Sequence, residues 1–297
     1  MKFLMRLSFC LTLVVLEVSC NDAEAINDNE QRPQSDELMS GDNEFVESLT
    51  EEYDLIWTWE GYFTAEEQEK LKTWITEVNE ATACTLGPYQ FDVYVNFIRS
   101  DSKNRPVPFG FASRKGGINQ VNLYVNPTES PEKLMEDWTA QHEFSHLSIP
   151  YLGSKHKWFS EGFATFLSRQ TMMDQGLFSQ SEFDSLYHSR ITEAKECYNS
   201  TTKTFIEVSD SLMQNYGYSD MYWGSSTFLF TLDKRLRQEK SMRFVDIMKI
   251  YQLKYRSGDK ALRDVIGSFD KAIGEPWCID LMAIYRNQPS AVVMENY

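Results

Sequence analysis

The sequence predicts an α+β fold: a small N-terminal β-sheet with one helix, followed by a mostly helical C-terminal lobe. Three observations predict it. Phe91, Val93, Val95 and Phe97 alternate with Asp92, Tyr94, Asn96 and Ile98, the period of a strand. Thr64-Ala65-Glu66-Glu67 is a capping box that opens a helix between two strand-like runs. After Asn126, apolar residues recur with helical spacing nearly to the last residue. Strands first and helices after make segregated layers, not a βαβα alternation.

The elements follow in order. Lys2 and Arg6 precede the mostly apolar run Leu7 to Leu16, which is too short to span a bilayer but suits the core of a secretory leader. Residues 1–20 are therefore expected to be a signal peptide. The ending Leu16-Glu17-Val18-Ser19-Cys20 resembles a bacterial lipobox, with Glu17 where Leu is usual. That resemblance implies an exported protein of the bacterial cell envelope, anchored to the membrane by a lipid on Cys20; an ordinary cleaved leader is the alternative. Residues 21–50, rich in Asp, Glu, Asn, Ser and Gln, are expected to be an acidic flexible tether. The folded domain is placed at 51–297. Tyr53 to Trp59 reads as a strand, Thr64 to Cys84 as a helix, and Leu86-Gly87-Pro88 as its stop. Strands are expected at Phe91–Ile98, Val107–Ser113 and Ile118–Val125, the last two joined at Arg114-Lys115-Gly116-Gly117. Ser130-Pro131 opens a helix and another begins near Ser160. Helical runs follow at 181–198, 205–215, 221–239, 242–256 and 259–270.

Of the chain's 297 residues, 44 are Asp or Glu and 29 are Lys or Arg, a net charge of −15. The balance excludes a nucleic-acid binder, which needs a basic face for phosphates. Most of the excess lies in residues 21–54, at −11, which leaves −5 for residues 55–297. The acidity thus describes the tether more than the domain. Beyond the leader and Cys20 the cysteines are Cys84, Cys197 and Cys278, too few for a disulfide-built scaffold.

His142-Glu143-Phe144-Ser145-His146 carries the chemistry. Histidines four apart share a helix face, separated by about 40° and about 6 Å of rise, so both imidazoles reach one metal ion. Glu143 projects toward the same ion without binding it and is placed to take a proton from water. With only four histidines in the chain, a chance HExxH is expected roughly 0.005 times. A catalytic zinc needs a third protein ligand and an open position. Fourteen residues separate His146 from Glu161, which stands in Trp158-Phe159-Ser160-Glu161-Gly162-Phe163-Ala164. Pro150 and Gly153 between them let the chain turn back.

HExxH followed by Trp-x-x-Glu-Gly-x-Ala resembles the gluzincin metallopeptidases, with a spacer somewhat shorter than in thermolysin or the large aminopeptidases. The resemblance implies a thermolysin-like catalytic domain with one Zn2+, held between the sheet and the helical lobe by His142, His146 and Glu161. It also implies Glu143 as the general base. Met221-Tyr222-Trp223-Gly224 is similar to the helix of glycyl aminopeptidase-like enzymes that carries an oxyanion-binding tyrosine. Tyr222 is the candidate, with Tyr216 and Tyr218 as neighbours able to serve. Gly116-Gly117-Ile118-Asn119-Gln120 stands where that family binds substrate on a strand; Asn119 occupies the place of a glutamate that holds a free α-amino group. An amide offers no charge to an ammonium group, so the resemblance implies a substrate-binding place for Asn119 without fixing aminopeptidase specificity; a hairpin turn with no substrate role is the alternative. Ile118–Val125 is expected to pair with an extended peptide, and Trp158 to pack between the two zinc-bearing helices. His156 and His188 read as surface or packing histidines. The expected function is zinc-dependent hydrolysis of a peptide or protein substrate, in a stand-alone catalytic domain. The competing readings are a partner-binding lipoprotein that uses the same cleft without turnover, and a hydrolase of non-peptide amides.

Overall fold

The alternation at 91–98 builds the second strand of a four-stranded sheet. The computed structural model describes residues 53–295 and 297. The expected leader, the tether and Cys20 lie outside the described residues. The strands are β1 (Leu55–Glu60), β2 (Val93–Arg99), β3 (Phe109–Lys115) and β4 (Ile118–Val125), in the spatial order β1-β2-β4-β3. β1 and β2 are parallel, as are β2 and β4, while β3 and β4 form a hairpin. A parallel pair needs a crossover. Helix α1 (Ala65–Leu86) supplies it between β1 and β2, with both halves of the Thr64–Glu67 capping box formed. The hairpin turns on Gly116 and Gly117, at φ 65° and 82°. Two consecutive left-handed residues are what a two-residue hairpin loop requires.

The helix opened by Pro131 is two helices, α2 (Pro131–Glu136) and α3 (Thr139–Leu147). The break has a physical cause that single-sequence periodicity does not register. Asp137 is extended (φ −75°, ψ 123°), and its carboxylate accepts from the Thr139 amide at 2.9 Å. That side chain caps the second helix from outside it, and Arg105 holds it in place at 3.4 Å.

The remaining helices are α4 (Lys157–Asp174), α5 (Gln180–Cys197), α6 (Phe205–Gln214), α7 (Tyr218–Lys240), α8 (Phe244–Lys254), α9 (Leu262–Ile273), α10 (Trp277–Asn287) and α11 (Ser290–Met294). The last two continue beyond the runs read from the sequence. The Asp270 carboxylate accepts from the Cys278 and Ile279 amides at 2.7 and 3.1 Å, so α9 caps α10. Cys197 is exposed and donates to Asp220, whereas Cys278 is buried. No helix among the described residues is long and apolar enough to cross a membrane.

Two hydrophobic cores result. One joins the sheet (Val95, Phe97, Val121, Leu123) to Trp74 and Val78 of α1 and to Ala140, Phe144 and Leu147 of α3. The other is helical and holds Phe163 and Phe166 of α4, Phe228 of α7 and Phe269 of α9. Helices α3 and α4 are consecutive, yet each is rooted in a different core. The seam between the cores is where the HExxH face and Glu161 meet.

Candidate metal centre

Each ligand is delivered by a short local device. On α3, burying Ala140, Phe144 and Leu147 turns His142 and His146 toward the seam. Their rings stand edge to face, 4.8 Å apart between centres. The chain then turns through Gly153 (φ 81°) and a 3-10 turn at Ser154–His156, and enters α4. Glu161 lies in the second turn of α4, not at its start as the sequence suggested. Its Oε2 is 3.2 Å from His142 Nε2 and 3.4 Å from His146 Nε2. The ligand atoms of the three residues all lie within 4.8 Å of one another.

This donor set fits a zinc ion. Two imidazole nitrogens and one carboxylate oxygen converge on one point and leave a coordination position free. His142 and Glu161 are only 3% and 9% exposed, so the three groups have been taken out of water to face one another. One usual support is missing. A ligating histidine ordinarily donates its second ring nitrogen, but His142 Nδ1 is buried without a partner. Packing orients the ring instead. Trp138 meets it edge-on at 4.7 Å and Tyr222 stacks on it at 5.6 Å.

The electrostatics divide the groups by role. Burial lowers His142 to about 4, which keeps it neutral and able to ligate. Burial also lowers His146, but the Glu161 and Glu143 carboxylates outweigh it and the net shift is upward. Burial would raise Glu161; the two histidines more than reverse that and hold it well below the usual carboxylate range. Glu143 has no such compensation. Burial raises it to about 7, assisted by the Glu161 charge and only partly opposed by His146. Burial and both carboxylates push Tyr222 up, so its hydroxyl keeps its proton.

The structure brings His142, His146, Glu161, Glu143 and Tyr222 together. Of the three tyrosines considered, Tyr222 is the one stacked on a ligand ring. Tyr218 is 6.4 Å from Tyr222, ring to ring, and Tyr216 is 80% exposed. Asn119 is the second residue of β4, opposite Arg114, and no hydrogen bond among the described residues joins it to the triad. His156 is half-buried in the turn before α4, and His188 is exposed on α5. Trp158 packs into the helical core against Phe205, Phe228 and Tyr285, not between the ligand helices.

The sequence pattern makes Ile118–Val125 the expected peptide-pairing edge, but β4 is internal, between β2 and β3. Strand order is a non-local property, and two consecutive strand signals do not reveal which one lies outside. The edge beside the triad is β3. A Cβ on Gly110 would lie 3.0 Å from Glu143 Cγ and 2.8 Å from Thr139 Cγ2. The Ala112 backbone faces the Glu143 carboxylate and opposes the burial that raises its pKa. Arg114 donates to the carbonyls of His146 and Ile149. Alternate residues of β3 therefore pack on α3 beside Glu143 and His146. Gly110, a glycine inside a strand pattern, was the available signal for this close approach.

No protein-family model and no curated protein matches the chain. Among solved structures it is similar to the M1 zinc metallopeptidase of Deinococcus radiodurans, at 12% identity and a TM-score of 0.45, over 77% of this chain and 47% of that one. A mutant of that enzyme bound to a Tyr-Ser-Ala substrate gives 13%, a TM-score of 0.47, and 77% and 46% coverage. The chain spans less than half the length of these proteins.

Proposed function

We propose that the chain is a zinc-dependent peptidase. The convergence of His142, His146 and Glu161, with the Glu143 carboxyl beside them and outside the ligand set, carries the reading. Zinc held there supplies Lewis acidity toward a carbonyl oxygen and toward water. Glu143 does the proton work. Its raised basicity suits it to accept a proton from water and return it to the leaving amine near neutral pH. Tyr222, still protonated and stacked on His142, donates a hydrogen bond to the oxyanion. The outer edge of β3 offers backbone donors and acceptors to an extended substrate. The expected leader, the lipobox-like Cys20 and the acidic tether add an exported, membrane-anchored location to the same proposal.

The test is Glu143→Gln, assayed by zinc analysis and by digestion of a mixed peptide library with mass-spectrometric product mapping. The variant should retain one zinc per chain and lose about 10²- to 10⁴-fold in kcat. Activity within a few-fold of wild type would overturn the assignment.

A further inference from the structure

We propose that Arg169 forms a subsite for a substrate carboxylate beside the metal centre. The word substrate rests on the peptidase reading; the subsite itself rests on the geometry of α3, α4 and α7.

Arg169 is on α4, eight residues beyond Glu161. Its guanidinium carbon is 5.0 Å from the Trp138 ring centre and 5.7 Å from that of Trp223. Trp138 is the residue that meets the His142 ring at 4.7 Å, and Trp223 adjoins Tyr222. The guanidinium is therefore within about 10 Å of a ligand imidazole. An extended peptide advances about 3.5 Å per residue, so a carboxylate held there lies within about three residues of the scissile bond.

The guanidinium lacks the partner its position calls for. Among the described residues no carboxylate comes within ion-pair distance of it, and Asp137 is already engaged by Arg105. One terminal nitrogen finds only the Met172 sulfur, at 3.7 Å, and Nε is buried without an acceptor. The other partly buried arginines among the described residues are served differently. Arg99 has Glu67, Arg114 has two backbone carbonyls, Arg243 has Asp174 and Arg256 has the Leu147 carbonyl. Arg169 alone in that group has no oxygen acceptor. Burial lowers its pKa to about 10, which leaves it cationic at neutral pH.

A desolvated cation without an anion is costly, and two indole faces offset only part of that cost. The indoles do something a salt bridge inside the fold would not. They pack against the guanidinium without taking up its N–H groups, which have no oxygen acceptor within the fold. A carboxylate is the group that matches such a fork with two parallel hydrogen bonds. Trp138 and Arg169 are each partly exposed, as is Tyr222, next to Trp223 in the sequence of α7.

The experiment uses zinc-loaded protein and paired peptides. One set replaces Glu by Gln at each of three positions on either side of the cleaved bond. The other compares free with amidated C-termini. Wild type should prefer the carboxylate member of at least one pair by about tenfold or more in kcat/KM, expressed through KM. The set that discriminates identifies the source as an acidic side chain or the chain terminus. Arg169→Met should collapse that ratio toward one, and Arg169→Lys should retain part of it, since the charge survives without the fork. Calorimetric binding of the same pairs to zinc-loaded Glu143→Gln protein reads the subsite without turnover. Discrimination in binding with no cleavage of any peptide keeps the subsite and defeats the peptidase reading. Cleavage without discrimination does the reverse. Equal binding and equal cleavage of every pair by wild type overturns the proposal, as does a ratio unchanged in Arg169→Met.

Discussion

Glu143 is buried on the strength of its neighbours, and that burial has a sign that can be measured. Its pKa is raised to about 7 by desolvation in the metal-free fold, against about 4.5 in the unfolded chain. The folded state thus binds more protons across that window, and stability falls as pH rises through it. In metal-free protein, Glu143→Gln should match wild type below about pH 4.5 and exceed it by up to about 3 kcal/mol at pH 8. Thermal melts of both proteins from pH 4 to 8 check this. A constant difference across the range would mean that the carboxylate is not held in a desolvated place. Tyr222 makes the opposite kind of contribution. It is a proposed oxyanion donor outside the ligand set, so Tyr222→Phe should leave zinc content intact and lower kcat by about 10²- to 10³-fold, the usual cost of such a donor. Loss of zinc alongside activity would instead assign Tyr222 to orienting the His142 ring.

Elements meet at this site through missing side chains. Gly162 follows the ligand Glu161, and a Cβ there would lie 2.5 Å from the Ser225 carbonyl carbon of α7. The two helices cross so closely only because α4 has no side chain at that point. Gly162→Ala should push α4 from α7 and weaken zinc binding and stability together, the latter by about 1–3 kcal/mol. A competitive chelator titration and a melting curve measure the two effects. Gly110→Val acts from the sheet side, since its side chain would overlap Glu143 and Thr139. It should lose activity with less effect on zinc than Gly162→Ala. These contacts mark the limit of what was legible in the sequence. HExxH and the Glu161 segment are local patterns, and helix geometry alone turns two histidines and a glutamate toward one point. The Thr64 capping box and the Gly116-Gly117 turn were legible for the same reason. The division at Asp137 was not, because the carboxylate that caps Thr139 is held in place by Arg105, more than 30 residues earlier in the chain. Nor was the edge position of β3, which depends on strand order. The Trp138–Arg169–Trp223 stack is assembled from three places in the sequence, and no one of them signals it.

At the scale of the molecule, the three residues proposed to hold the metal come from two cores, and a metal there would act as a clasp. His142 and His146 are rooted in the sheet-side core, and Glu161 is rooted in the helical core. Without a cation, the seam holds two imidazoles against one carboxylate oxygen, and His146 gains its proton more readily because of it. Zinc bound there would be held by His142 and His146 from one core and by Glu161 from the other. A ligand that binds only the folded state stabilises it by about 3–4 kcal/mol at 100 to 1,000 times its Kd, which for a domain of this size is roughly 10 °C. The gain should not be uniform. Opening the seam exposes α3 and the first turns of α4, whereas α9 and α10 sit within one core and do not depend on the clasp. Chelation should therefore lower the melting temperature by roughly 10 °C and speed hydrogen exchange in residues 139–161 while leaving residues 262–287 near their original rates. The effect should shrink as pH falls, because protons compete with zinc for His146 before they reach His142, whose burial holds its pKa at about 4. Uniform acceleration across both segments would show that the two cores unfold as one unit and that the metal is no clasp.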